Sequence, residues 1–331
     1  MNSASRPSED ELIARFFAPL AGEGGLALKD DAALLRPRDG HDLVLTVDGL
    51  VAGVHFLPDD PAAAIAHKAL AVNISDLAAK GAEPAGFLLT LALPDGWTEP
   101  WLEAFRDGLA DASRAFGCPL LGGDTVRSAG ALWISITALG HVPSGGMVRR
   151  TSARPGHRIC VTGTIGDAAL GLAVHRGSTD PALSALSPDD KRYLVERYLY
   201  PRPRLVVAEA LRTYAAAAMD ISDGLAGDLA KMMRVSGASA EVDMARIPLS
   251  PAARAAIAKN PALVDLVVTG GDDYEILCAV PEDRLAGFLA ETSALGVPTT
   301  GIGTVTTGEE LPLFRSAAGE RRYAHGAYQH F

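Results

Sequence analysis

Aspartates recur along this 331-residue chain where a strand or helix hands over to a loop. Asp30-Asp31 precede an apolar run, and Asp48 closes the strand-like DLVLTV. Asp76 sits inside Asn73-Ile74-Ser75-Asp76-Leu77, and Asp124 follows Gly122-Gly123. Asp220-Ile221-Ser222-Asp223-Gly224 follows an Ala-rich helix, and Gly270-Gly271-Asp272-Asp273-Tyr274-Glu275 follows the strand-like LVDLVVT. Loops at strand ends are where α/β scaffolds carry function. A single Asp beside Gly is an ordinary turn or cap residue, so the pattern counts for more than any member. Asp76 differs: among Ala71, Val72, Ile74, Leu77 and Ala78 it cannot cap a helix. A buried, unpaired carboxylate there would cost several kcal/mol, which Ser75, Asn73 or a cation could relieve.

Convergent carboxylates need a cation. Two unit charges about 4 Å apart repel by roughly 4 kcal/mol at an effective dielectric near 20. Oxygen ligands without His or Cys clusters select magnesium or calcium over zinc. Magnesium also joins carboxylates to phosphates, which reconciles a net charge of −10 with a polyphosphate substrate. The sequence holds no GxxxxGK[ST] loop, no protein-kinase motif set and no GxSxG elbow. Gly163-Thr164-Ile165-Gly166-Asp167 reads as a tight strand-to-helix turn whose N–H groups could also meet an anion. Arg149-Arg150 could clamp a phosphate or simply be solvated. His55 is isolated, and the other histidines lack metal-ligand spacing.

The elements that must position these residues form two α+β halves. The first half reads as a helix over 8–20 with a Ser8/Glu11 capping box, a strand at 42–47 and a helix over 61–80. A strand at 85–93, a helix over 98–116, a short strand at 119–121 and a turn through 122–125 follow, then a strand at 131–142. The Pro-, Gly- and Arg-rich segment 143–157 reads as a linker. The pattern restarts with a strand at 158–162 and a helix from Asp167, which sets domains at 1–148 and 149–331. The length also suits two domains at roughly 150 residues each. The acidic balance argues against nucleic-acid and membrane partners. The polar amino terminus, three scattered cysteines and the lack of roughly 20 consecutive apolar residues point to a cytoplasmic protein.

In order and at similar spacing, KDDAALL, LTVDGLVAGVHF, KALAVNISDLAAKGAEP, LLGGDT, MDISDGLAGDL, TGGDDYEIL and AYQHF resemble the thiamine-monophosphate kinase family. That family lies within the aminoimidazole ribonucleotide synthetase superfamily, and the resemblance runs from about Leu12 to Phe331. It implies a two-domain α/β (α+β) protein. The amino-terminal domain would bind ATP and metal and form a shared β-barrel across a homodimer. The carboxy-terminal α/β domain would complete the site. The implied reaction is direct in-line transfer from ATP to thiamine monophosphate, giving thiamine diphosphate. By position, Asp30, Thr46, the Val47 carbonyl, Asp48, Asp76, Asp124, Asp220 and Asp223 would bind several Mg²⁺ ions. Asp48, Asp76, Asp124 and Asp220 would carry the catalysis. Gly123, Asp124, Arg150 and Ser222 would hold ATP, and His55, Asp272 and Tyr328 the thiamine phosphate.

Departures from the family pattern are Lys29 in place of Gly, Gly49 in place of Thr, Asp272 in place of Glu, and Arg106 where a Tyr often lies near the adenine. Two rivals remain: an ATP-using synthetase of the same superfamily and a non-catalytic nucleotide-binding module. Selenophosphate synthetases need a reactive Cys near the amino terminus, whereas the first here is Cys118.

Overall fold

The computed structural model describes residues 7–324, so Tyr328 and the AYQHF segment lie outside the described residues. The described residues form two compact units, one of residues 7–77 and 83–145 and the other of 78–82 and 146–324.

In the first unit, α1 (Glu9–Leu12) starts from the expected capping box, with Ser8 and Glu11 bonded reciprocally at 2.9 and 3.3 Å. The helix expected over 8–20 does not keep one pitch. It widens to a π turn at Ile13–Phe17 and tightens to a 3₁₀ turn at Ala18–Leu20, where Pro19 removes a donor. Then come β1 (His41–Val51), α2 (Ala62–Ala79), β2 (Glu83–Pro94), α3 (Glu99–Phe116), β3 (Leu120–Ser128) and β4 (Trp133–Pro143). The sheet order is β1-β4-β2-β3, and only β2 and β3 run parallel. The helix α3 supplies that crossover. Thr98 caps it at the start and left-handed Gly117 ends it.

Alternation assigns the two faces of this sheet. Val44, Leu50, Phe87, Leu89, Leu91, Ile134, Ile136 and Ala138 are buried on one face. On the other face Leu45, Val47, Leu88, Val126 and Trp133 are exposed, Leu45 by 62% and Val47 by 61%.

The Gly122–Thr125 segment is not the expected turn. It continues β3, with Leu89 opposite Gly123 and Thr90 opposite Asp124. At Gly123 a Cβ would lie 1.8 Å from the Leu89 carbonyl oxygen, so the neighbouring strand can approach only a glycine. Gly123, which looks like a turn former, is instead there for close backbone approach.

In the second unit the elements are β5 (Arg158–Thr162), α4 (Asp167–His175), α5 (Pro181–Ser184), α6 (Pro188–Leu199), α7 (Ala208–Tyr214), β6 (Ala217–Asp220), α8 (Leu225–Ser236) and β7 (Ser239–Asp243). These are followed by α9 (Pro251–Lys259), α10 (Leu263–Thr269), β8 (Ile276–Val280), α11 (Leu285–Ala294), β9 (Thr299–Thr306), β10 (Leu313–Ser316) and β11 (Gly319–Arg321). The seven strands lie in the order β11-β10-β7-β9-β5-β8-β6. Core packs on both faces. Ile159, Val161, Leu277 and Ala279 join one cluster with α4, α8, α9 and α10, while Cys160, Ile276, Cys278 and Val280 join another with α7 and α11. Two-sided burial explains why these strands read as continuous apolar runs.

The strand-like LVDLVVT is the helix α10, and its buried residues Leu263, Val267 and Val268 repeat at helical spacing. A short apolar run does not decide between the two on periodicity alone.

Packing of α3 on α2 yields a direct test. A Cβ on Gly108 would lie 2.4 Å from the Ala63 Cα and 2.5 Å from its carbonyl oxygen. Gly108→Ala therefore destabilises the protein by about 1–3 kcal/mol despite the better helix propensity of Ala. The unfolding midpoint should fall by several degrees in calorimetry.

Candidate active site

Within the first unit the expected residues separate onto the two faces of the sheet. On the face that α2 covers, the Asp76 carboxylate accepts a 2.5 Å hydrogen bond from the Thr46 hydroxyl. Asn73 does not serve Asp76. Its Oδ1 accepts from the Asp48 N–H at 3.1 Å, and its Nδ2 donates to the Ala69 carbonyl at 3.1 Å. Ser75 Oγ is buried with no hydrogen-bond partner among the described residues. Asp76 itself is half-buried rather than fully enclosed. At the end of β1, His55 Nδ1 accepts from the Val51 N–H at 3.0 Å, so the other ring nitrogen carries the proton of the neutral ring.

On the opposite face, Asp30, Asp31, Gly122, Gly123 and Asp124 line a cavity of about 700 Å³, with Thr90 and Thr137 on its floor. Two residues expected far apart in sequence, Asp30 and Asp124, thus share one wall system. Lys29 is exposed. Among the described residues no three His, Cys, Asp or Glu side chains stand close enough to hold a metal ion by themselves.

The second unit carries the other expected residues on two laced loops. Asp220 ends β6, and Ser222 and Asp223 form the turn into α8. Asp228, fully buried, organises that turn: its Oδ2 accepts from the N–H groups of Ser222 and Asp223 at 3.0 and 2.9 Å. Lys231 bonds Asp228 Oδ1 at 2.9 Å and also pairs with Asp223. Burial works against the Lys231 charge, but the two carboxylates outweigh it and hold the ammonium above its ordinary pKa. Neither Asp228 nor Lys231 was expected from sequence, although an Asp in the first turn of a helix is a usable signal. Arg149 and Arg150 are exposed, and the Arg150 carbonyl accepts from Ser236 Oγ at 3.2 Å.

The second loop, 270–275, follows α10. The Asp272 N–H donates to the Ser222 carbonyl and the Tyr274 N–H to the Ile221 carbonyl, both at 2.8 Å, so the loop is bonded directly to the Asp220–Asp223 turn. Asp273 and Glu275 are scaffolding. Asp273 accepts from the Gly166 N–H at 2.7 Å, so the acceptor that the Gly163–Asp167 turn meets is the chain's own carboxyl group. Glu275, with no exposed surface, accepts from Thr162 Oγ1 at 2.7 Å, Arg197 Nη2 at 3.0 Å and Arg204 Nε at 2.6 Å. Asp167 accepts from Ser250 at 2.5 Å, Thr164 at 2.6 Å and Tyr193 at 2.9 Å.

Burial pushes the Asp273 carboxyl well above the ordinary carboxylate range, against the pull of the Gly166 N–H and Arg197. The sign follows from linkage. A carboxyl raised in the folded state binds more protons folded than unfolded, so its contribution is full below about pH 4 and is lost as pH rises through the folded value. Asp273→Asn, which keeps an acceptor and cannot ionise, removes that loss. Denaturation at pH 5 and pH 8 should show a smaller fall in stability for the variant than for the natural chain.

Comparison with known proteins places these loops in a family. The chain matches the family described as AIR synthase related protein, N-terminal domain, over residues 29–142, and the corresponding C-terminal domain over residues 154–314. It is 42% identical over 317 residues to the thiamine-monophosphate kinase of Caulobacter vibrioides, covering 94% of this chain and 88% of that one. It is likewise 42% identical over 301 residues to that of Escherichia coli K12, covering 90% of each. The crystal structure of thiamine-monophosphate kinase from Stenotrophomonas maltophilia K279a superposes with a TM-score of 0.79 at 40% identity, covering 87% of this chain and 89% of that one. AaThiL complexed with AMPPCP and TMP superposes at 0.74 and 29% identity, covering 97% and 100%. The hydrogenase maturation protein HypE in complex with ATP, at 22% identity and a TM-score of 0.76, shares the fold. By these matches across both units, the chain belongs to the thiamine-monophosphate kinase family of AIR synthase related proteins.

Proposed function

We propose that this protein transfers the γ-phosphoryl group of ATP to thiamine monophosphate, giving thiamine diphosphate and ADP, in the cytoplasm. The observation that carries this reading is the superposition, along 97% of the chain, on AaThiL complexed with AMPPCP and TMP. An oxygen of the acceptor phosphate bonds to the γ-phosphorus while the bond to the β–γ bridging oxygen breaks, and that oxygen leaves with its electron pair on ADP. The nucleophile is already an anion, so no strong general base is required, and alignment and charge neutralisation are what the protein must supply.

The side chains suit magnesium. Asp30, Thr46, the Val47 carbonyl, Asp48, Asp76, Asp124, Asp220 and Asp223 offer oxygen donors only, and the 2.5 Å Thr46–Asp76 contact already sets two of them side by side. Among the described residues no three acids stand close enough to hold a metal by themselves, and substrate phosphates and water complete the shell. Mg²⁺ when bound neutralises phosphate charge and polarises the phosphorus–oxygen bonds. Gly123, which lines the cavity beside Asp124, holds ATP together with Asp124, Arg150 and Ser222, and His55, Asp272 and Tyr328 receive the thiamine phosphate. Catalysis rests on Asp48, Asp76, Asp124 and Asp220.

A homodimer is part of the proposal. Leu45, Val47, Leu88, Val126 and Trp133 leave one face of a four-stranded sheet apolar and exposed, and a second copy closing a shared barrel would cover it. Light scattering should give about twice the 34.4 kDa chain mass. Val47→Glu should shift that value toward the monomer, and a stable natural monomer contradicts the dimer.

The activity is tested with purified protein, ATP, Mg²⁺ and thiamine monophosphate, with separation of thiamine diphosphate. Product should require the metal and be absent with free thiamine. ATP binding without product would favour the synthetase or the non-catalytic module. Asp76→Asn should fold normally by circular dichroism and lose activity by about 100-fold or more. Labelled ATP should leave no label on protein, and a trapped phospho-aspartate would overturn direct transfer.

A further inference from the structure

The loop that carries Asp272 is strained at two ordinary residues. Asp272 has φ of 70° and Tyr274 φ of 50°, both in the left-handed region that bulky side chains avoid. Such conformations persist only where the surroundings over-determine them, and they concentrate at ligand-binding sites. Here the determination is backbone and ionic. Asp272 and Tyr274 donate their N–H groups to Ser222 and Ile221, the Ile221 N–H returns to the Glu275 carbonyl at 2.9 Å, and the Glu275 side chain is clamped by Arg197 and Arg204. None of these restraints uses the Tyr274 hydroxyl.

That hydroxyl turns back along its own loop. Tyr274 is 8% exposed, and its OH donates to Asp272 Oδ1 at 3.1 Å. Two left-handed residues flanking Asp273 bring side chains two apart onto one side, which an extended strand would achieve only in parallel and without contact. A phenol donating to a carboxylate is a charge-assisted bond, and it restricts the acid to one orientation. Asp272 is only half-buried, so the residue keeps some contact with solvent while the Tyr274 hydroxyl sets the direction of its carboxylate.

We propose that Tyr274 is a positioning residue that aims the Asp272 carboxylate at the acceptor, a proposal that rests on the thiamine monophosphate reading above. Thiamine carries a cationic thiazolium ring and an exocyclic amine, and a fixed carboxylate complements either group. The strain at Asp272 and Tyr274 is then the means of bringing hydroxyl and carboxylate together.

Tyr274→Phe removes one oxygen and leaves every backbone and ionic restraint of the loop in place. Loss of a single hydrogen bond to a charged group predicts a rise of about tenfold in KM for thiamine monophosphate and in its Kd by calorimetry. The kcat, the KM for ATP and the melting temperature should stay within twofold or a degree or two of the natural protein. In an Asp272→Asn background the same substitution should change KM by less than twofold, because the hydroxyl acts through that carboxylate. Unchanged KM and Kd overturn the positioning role and leave the kinase reading standing. A joint fall of kcat, ATP affinity and melting temperature shows a merely structural hydroxyl and also overturns it. If the natural protein neither binds nor phosphorylates thiamine monophosphate, the functional reading falls and this proposal falls with it.

Discussion

Glu275 is an acidic side chain with no exposed surface, and the two bonded loops of the second unit depend on how it is met. Arg197, itself 4% exposed, and Arg204 bracket it, and Thr162 donates as a third partner. Removing one partner of such an arrangement costs about 3–5 kcal/mol because the remaining charge is stranded. The same residue immediately precedes β8, its carbonyl accepts from the Ile221 N–H, and it so sets the spacing between the two loops that carry Asp220, Ser222, Asp223 and Asp272. A fixed charge in the core thus becomes a fixed distance at the surface.

The acids of this chain then divide by what satisfies them. Asp167, Asp228, Asp273 and Glu275 are buried, and hydroxyls, backbone N–H groups and cationic side chains of the same unit meet them. Their task is to hold turns. Asp30, Asp31 and Asp124 instead face a cavity, exposed, on the wall of the other unit. Proximity in sequence hides this division: Asp272 and Asp273 are neighbours, yet one is half-buried toward solvent and the other is wholly enclosed at the start of α4.

Element type was legible where periodicity ran long, as in α2 and α3, whose Pro, Gly and Thr boundaries fall within a residue or two of the observed ends. It failed where residues serve tertiary contact. Gly122-Gly123 signals a turn locally, but only the approach of β2 explains it as strand. LVDLVVT is too short for its period to decide. The motif acids were legible as a set, because acids beside glycines at chain reversals are conspicuous. Their partners were not. Arg197 and Arg204 lie some seventy positions from Glu275, and no local pattern links them. Glu275 itself carried an unread signal, a charge beginning the apolar run Ile276–Val280.

Rigidity here has a chemical reason. Joining two phosphate anions gains from having the reacting atoms held near attack distance, and a displacement of about 1 Å is enough to cost a hundredfold in rate. A flexible surface loop cannot give that constancy. The loop at 270–275 is built against flexibility: two left-handed residues that relax only if the loop leaves its place, backbone bonds to a second loop, and a buried ionic core beneath. The strain is small beside the cost of opening the ionic core, so one conformation survives.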